Sequence, residues 1–137
     1  MAYAQWIVVA IVNMVQNRDL TVKNAHLYWG KFFDCYSKDN EVSTHEVEGS
    51  SAAPFEAKYV GACGRSDSAS GTEGSFDVYD DATKICRVYW SCPWGSKDNE
   101  FRVEDYNQST SAYQVTVGPW SRNSGAIGTV VLTIRSR

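Results

Sequence analysis

The chain predicts an all-β fold, a single-domain antiparallel β-sandwich, and three observations lead to it. Apolar residues recur with period two in one segment after another. Turn-forming residues interrupt those segments at short intervals. No stretch between them carries the 3.6-residue period of an amphipathic helix. Many short strands without intervening helices bury their apolar faces best in two facing sheets or a barrel.

Taken in order, residues 3–15 and 20–29 are rich in β-branched and aromatic side chains. Gln16, Asn17, Arg18 and Asp19 between them read as a hairpin turn. Phe76 and Val78 alternate with Asp77 and Tyr79, and Cys86, Val88 and Trp90 with Arg87 and Tyr89. Phe101 and Val103 alternate with Arg102 and Glu104, then Tyr113, Val115 and Val117 with Gln114, Thr116 and Gly118. Val130, Leu132 and Ile134 close the series against Thr129, Val131, Thr133 and Arg135. Each is the signature of a half-buried strand. Turn residues cluster at 38–40, 49–51, 66–75, 80–81, 96–99, 107–111 and 123–125, so about eight to ten strands are expected.

At 137 residues with 43% hydrophobic content, one sandwich spanning residues 1–137 fills a core without help from disulfides or metal. Thirteen Lys plus Arg stand against 16 Asp plus Glu, and the sequence pI is near 5.3. Neither half is basic: split after Ser68, the counts are 6 against 8 and 7 against 8. A nucleic-acid partner is excluded on that balance, because phosphate contacts require a basic face. The longest apolar run, residues 6–12, is far short of the roughly 20 residues of a spanning helix. The N-terminus lacks the cationic region of a secretory leader. Residence in the cytoplasm, or export without a signal peptide, is the expectation.

Chemistry-bearing constellations are few. His26 and His45 are the only histidines, and no spacing suits a metal site, a catalytic triad or any other cofactor. No enzymatic activity is expected. Asp77, Asp80 and Asp81 read as a solvated turn rather than a calcium loop. Cys35, Cys63, Cys86 and Cys92 contain no CxxC unit and read as free thiols, with Cys35 the most exposed and a disulfide-linked dimer through it not favoured. Rings, by contrast, are abundant: five Trp, eight Tyr and five Phe make 13% of the chain. Trp and Tyr suit surfaces with one apolar and one wet side, such as ligand pockets and lipid headgroups.

Several runs carry a resemblance. Cys63-Gly-Arg-Ser-Asp67, Gly71-Thr-Glu-Gly-Ser-Phe-Asp77 and Tyr89-Trp-Ser-Cys-Pro-Trp-Gly-Ser-Lys97 resemble the aegerolysins. So do Ala4-Gln-Trp6, Trp29-Gly-Lys31 and Gly125-Ala-Ile-Gly128. The resemblance covers essentially the whole chain. It implies a β-sandwich of actinoporin-like architecture that binds membrane sphingolipids peripherally, notably ceramide phosphoethanolamine and, in some members, sphingomyelin with cholesterol. It also implies, for several members, a perforin-like (MACPF) partner that makes the pore. Fungal members often carry a Glu just before the glycine matching Gly71; Ser70 stands there in this chain, which points away from sterol-dependent recognition.

The family site carries over onto Trp6, Trp29, Tyr89, Trp90, Trp94 and Lys97, with Arg65 as a further candidate. A headgroup with a cation and an anion a few ångströms apart wants an aromatic wall for the first and Lys or Arg for the second. Competing readings stand beside these. Trp90 shares a face with Cys86 and Val88 and fits the core equally well, Trp6 lies among Ile7 and Val8, and Arg65 has carboxylates to pair with. A lectin-like module would use the same rings to stack on sugars, and any exposed patch could serve a homodimer.

Overall fold

The computed structural model describes residues 2–137, and two sheets enclose one core. In chain order the elements are β1 (Trp6–Asn13), β2 (Leu20–Trp29), β3 (Lys31–Phe33), β4 (Glu41–Val42), α1 (Thr44–Val47) and β5 (Ser51–Ala52). There follow β6 (Ala57–Cys63), β7 (Thr72–Asp80), β8 (Thr83–Cys92), β9 (Glu100–Glu104), β10 (Tyr113–Val117) and β11 (Gly128–Ser136). The six-stranded sheet has the order β10-β11-β1-β6-β3-β4 and the five-stranded sheet β5-β2-β7-β8-β9. The β-sandwich expectation holds. One ladder is not antiparallel: β1 and β11 run parallel, Ile7 opposite Gly128 through Asn13 opposite Ile134.

The period-two strands bury the residues that alternation selects. Ile7, Val9 and Ile11 of β1 and Val130, Leu132 and Ile134 of β11 meet Val22, Phe76, Val78, Val88 and Trp90 of the other sheet. At about 25 cal/mol per Å² of apolar surface removed from water, this shared layer is the main source of stability. The segment 16–19 is not a hairpin turn. It carries the chain from one sheet to the other, so Leu20 pairs with Ala52 and Asp80 rather than with β1. Asn13, fully buried, fixes this crossing: its Nδ2 donates to the carbonyls of Arg18 (2.6 Å) and Ala52 (2.9 Å), and its Oδ1 accepts from the Val15 amide at 2.8 Å. The one-turn helix α1 exists through a capping box, Ser43 with Glu46.

The four cysteines are free, with Cys63, Cys86 and Cys92 buried and Cys35 half-buried. Burial pushes the Cys35 and Cys92 thiols up to about 11 and Cys86 to about 12. No helix among the described residues is long and apolar enough to cross a membrane.

Candidate functional site

One end of the sandwich gathers the C-termini of β2, β6 and β8 and the N-termini of β7 and β11. A depression of about 330 Å³ opens there, lined by Trp29, Ser70, Gly71, Thr72, Glu73, Ser91, Pro93, Trp94 and Lys97 among others. Two glycines allow the backbones to converge. Gly30, at φ +88, turns the chain from β2 into the other sheet, where a Cβ would lie 2.5 Å from the Cys63 carbonyl oxygen. At Gly71 a Cβ would lie 1.8 Å from the Cys92 carbonyl oxygen, so only glycine lets the start of β7 close against the end of β8.

Trp29, the last residue of β2, is 60% exposed, and Trp94, in the bend between Pro93 and Gly95, is 39% exposed. Indole rings suit surfaces with one apolar and one wet side, and here two of them face the same depression. Lys97 is exposed and makes no hydrogen bond or ion pair among the described residues. Its ammonium is therefore available to an incoming anion.

The wall behind these groups is fastened by Asn99. Its side-chain amide nitrogen faces three carbonyls, Ser121 at 3.1 Å, Asn123 at 2.6 Å and Gly125 at 3.1 Å, and its backbone amide donates to Arg122 at 2.9 Å. Cys92 Sγ donates to the same Gly125 carbonyl at 3.1 Å. The 93–98 bend and the 121–125 loop are thus held as one rim.

Of the seven residues singled out by sequence, Trp29, Trp94 and Lys97 meet in this depression. Tyr89 reaches it through a partner: its hydroxyl donates to Glu73, a lining residue, at 2.5 Å. Burial, together with that bond, pushes Tyr89 up to about 12. One face of the Tyr89 ring is already taken by the Arg102 guanidinium, 4.2 Å from its centroid.

The other three lie elsewhere. Trp90 is 1% exposed, packed against Phe32 and Phe76, and its Nε1 donates to Thr72 Oγ1 at 3.1 Å. The core reading of Trp90 is the one the structure adopts, and direct surface contact is ruled out by its burial. Arg65 forks onto Glu41 with two bonds of 3.0 Å, the carboxylate pairing that competed with a lipid role. Trp6 lines a separate groove on the six-stranded sheet.

Ser70, which the sequence marked out as standing before Gly71 in place of Glu, lines the depression, whereas sequence reasoning missed Thr72, Glu73 and Ser91, which add hydroxyls and a carboxylate. The Gly71-Thr-Glu-Gly run was the available signal for two of them. Neither histidine lines the depression, and no group of three His, Cys, Asp or Glu among the described residues is placed to hold a metal.

Fold and depression together define a small all-β sandwich that presents rings and an unpaired cation at one end. The chain belongs to the aegerolysin family, whose signature matches residues 4–137. It is 46% identical over 129 residues to Asp-hemolysin of Aspergillus fumigatus, covering 94% of this chain and 91% of that protein. It is 40% identical over 135 residues to ostreolysin A6 of Pleurotus ostreatus, covering 96% and 95%. Among solved structures, RahU protein in complex with a TRIS molecule superposes with a TM-score of 0.89 at 34% identity, covering 99% of this chain and 98% of that one. The lipid binding protein Nakanori shares the fold at 12% identity, with a TM-score of 0.56 over 98% of this chain and 72% of its own.

Proposed function

We propose that this protein is a non-catalytic, peripheral membrane-lipid binder that recognises a sphingolipid headgroup, ceramide phosphoethanolamine before sphingomyelin with cholesterol, in the depression of Trp29, Trp94 and Lys97. The observation that carries the reading is the meeting of two exposed indoles with an ammonium that has no internal partner. A phosphoethanolamine group offers the matching pair, its phosphate to Lys97 and its ammonium to the indole faces or to Glu73. Each ring over a cation contributes about 0.5–2 kcal/mol, and partial insertion of exposed Trp at the interface adds to this.

Binding alone does not perforate a bilayer in this reading. Every backbone group of a spanning element must be satisfied internally, and both sheets of this sandwich are committed to one shared core. A perforin-like (MACPF) protein that inserts beside the bound sandwich is the proposed partner for lysis.

The test is co-sedimentation with liposomes of one base composition, doped with ceramide phosphoethanolamine, with sphingomyelin plus cholesterol, or with neither, while release of an encapsulated dye is followed. Selective pelleting without dye release is the expected result. Absence of pelleting under every composition overturns the assignment. Retention of binding by Lys97→Glu would favour a neutral-sugar ligand, since a glycan makes no use of the ammonium.

A further inference from the structure

Of the strands that end the two sheets, β4 and β5 are two residues long, and β9 sets Glu100, Arg102 and Glu104 along one face. β10 is different. Tyr113-Gln-Val-Thr-Val117 carries no charge and no proline, and all but Gln114 are β-branched or aromatic, the composition of an edge that accepts added strands. Its outward side is set by the ladder to β11. Gly118 donates to the Val131 carbonyl at 2.8 Å and Arg137 to the Ala112 carbonyl at 2.9 Å. Residues 112, 114, 116 and 118 therefore bond toward β11, and the amides and carbonyls of Tyr113, Val115 and Val117 point away from the sheet.

Side chains of the preceding loop take half of these outward groups. The Tyr106 hydroxyl donates to the Tyr113 carbonyl at 3.0 Å and accepts from the Val115 amide at 3.1 Å, and Ser111 Oγ accepts from the Tyr113 amide at 3.0 Å. One hydroxyl that joins a carbonyl to the amide two residues on does what a single residue of an added parallel strand does. The Val115 carbonyl and both backbone groups of Val117 have no partner among the described residues. The loop that carries the two hydroxyls is itself fixed. Asp105, at φ +55, turns the chain out of β9, and its carboxylate accepts from Lys84 Nζ at 2.6 Å. Asn107 Oδ1 accepts from the Ser109 amide at 2.9 Å, and the Asn107 carbonyl accepts from the Ser111 amide at 2.9 Å. The Tyr106 ring packs against the core, so its hydroxyl is held at the edge.

We propose that β10 is a strand-pairing edge whose partner is β10 of a second copy of this chain, and that the Tyr106 hydroxyl keeps it closed in the single molecule. The occupant follows from charge. An uncharged strand lies beside its own copy without opposing like charges, whereas β9 paired with its copy about Arg102 would set Arg against Arg and Glu against Glu. Swinging the hydroxyl away frees the Tyr113 carbonyl and the Val115 amide together, and these join the open groups of Val115 and Val117 in one continuous edge. The inference does not rest on the function proposed for the Trp29 depression, which no β10 residue lines.

The experiment follows association by sedimentation velocity, and backbone amide exchange by NMR, from micromolar to millimolar concentration, the range in which open strand edges associate. The unmodified protein is compared with Tyr106→Phe, which keeps the packed ring and deletes the hydroxyl, and with Tyr106→Phe combined with Val117→Pro. In dilute Tyr106→Phe the Val115 amide is expected to exchange about three- to tenfold faster, the factor for one net hydrogen bond. On concentration this variant should dimerise and the Val115 and Val117 amides should become protected, while the unmodified protein shows no such concentration dependence at these amides. Val117→Pro removes an outward N–H that serves no ladder bond, so it should restore the monomer. Tyr106→Met, adaptable in the core, replaces the Phe variant if that one fails to fold. A folded Tyr106 variant that stays monomeric at millimolar concentration overturns the pairing, and so does association that Val117→Pro leaves intact. Unchanged Val115 exchange in the dilute variant overturns the role of Tyr106. Binding of a peptide of residues 112–118 without self-association overturns the second copy as the occupant.

Discussion

The Trp90 indole nitrogen donates to Thr72 Oγ1 at 3.1 Å, and both residues are 1% exposed. Thr72 lines the Trp29 depression while Trp90 sits between Phe32 and Phe76 in the core, so one hydrogen bond joins the floor of the depression to the centre of the sandwich. Thr72→Val keeps the shape and deletes the acceptor, stranding a buried N–H. The expected cost is about 1–3 kcal/mol, read as a lower urea midpoint with an unchanged m-value. Adding Trp90→Phe should cost less than the sum of the two single changes, because the shared bond is lost only once.

A second buried group is held from outside the core. Asp77, its side chain 2% exposed, accepts from Arg87 Nε at 3.0 Å and from Asn24 Nδ2 at 2.8 Å, with Lys84 Nζ 3.6 Å away. Asn24, at φ +52, occupies the register shift of β2 against β7, so its contact with Asp77 ties down the bulge. Removing the carboxylate leaves cations that are 27% and 41% exposed and hydrate readily. Asp77→Ala is therefore expected to cost about 1–3 kcal/mol, as for lost charged hydrogen bonds, rather than the larger penalty of a stranded buried ion. Chemical denaturation of the variant measures it.

Much of the sandwich was legible where both neighbours of a strand share its pattern. In β8, Cys86, Val88 and Trp90 alternate with Arg87 and Tyr89 because one face meets the core and the other meets solvent. The alternation leaves Trp90 open between core and surface, on the face of Cys86 and Val88 but beside the Pro93 bend, and its burial decides for the core. β6 was not legible. Gly61 on its outer face is covered by Phe33 and Cys35, which buries four consecutive residues and erases the period. The 16–19 turn misled because turn chemistry reports a reversal or corner without reporting which strand comes next. The parallel β1–β11 ladder joins the two ends of the chain, which no local pattern encodes.

The candidate site divides in the same way. Trp94, between Pro93 and Gly95, cannot be buried in a strand, and its exposure follows from the sequence. The separation of Trp6 from Trp29 does not. It depends on Trp6 standing on the outer face of one sheet while Gly30 turns Trp29 off the end of the other.

Alkaline pH should destabilise the fold through two tyrosines. Tyr89 and Tyr113 are both pushed up to about 12, first by burial and then by donation to Glu73 and Asp80 respectively. Their unfolded value is about 10. A folded value above the unfolded one means that the folded state retains protons the unfolded state has released, so the contribution is complete below about pH 10 and is lost as pH rises through about 12. Stability measured by urea across that range should decline, and Tyr113→Phe should make the decline shallower. A decline of equal steepness in the variant would remove Tyr113 from the account.

Ring and charge contributions to vesicle binding should separate by salt. Lys97 is exposed and unpaired, so its attraction to a headgroup phosphate is screened as the Debye length contracts from about 10 Å at 0.1 M to about 3 Å at 1 M. The indole contacts of Trp29 and Trp94 depend on area removed from water and respond little to screening. Binding of the unmodified protein to ceramide phosphoethanolamine vesicles is thus expected to weaken as salt rises. Lys97→Met should bind more weakly at low salt and flatten that dependence. Trp94→Ala should lower affinity at every salt concentration and leave the slope intact, because it removes a ring and no charge. If both variants kept the original slope, the phosphate would be contacted by some cation other than Lys97. If Trp94→Ala alone flattened it, the indole would be acting by positioning Lys97 rather than by contacting lipid.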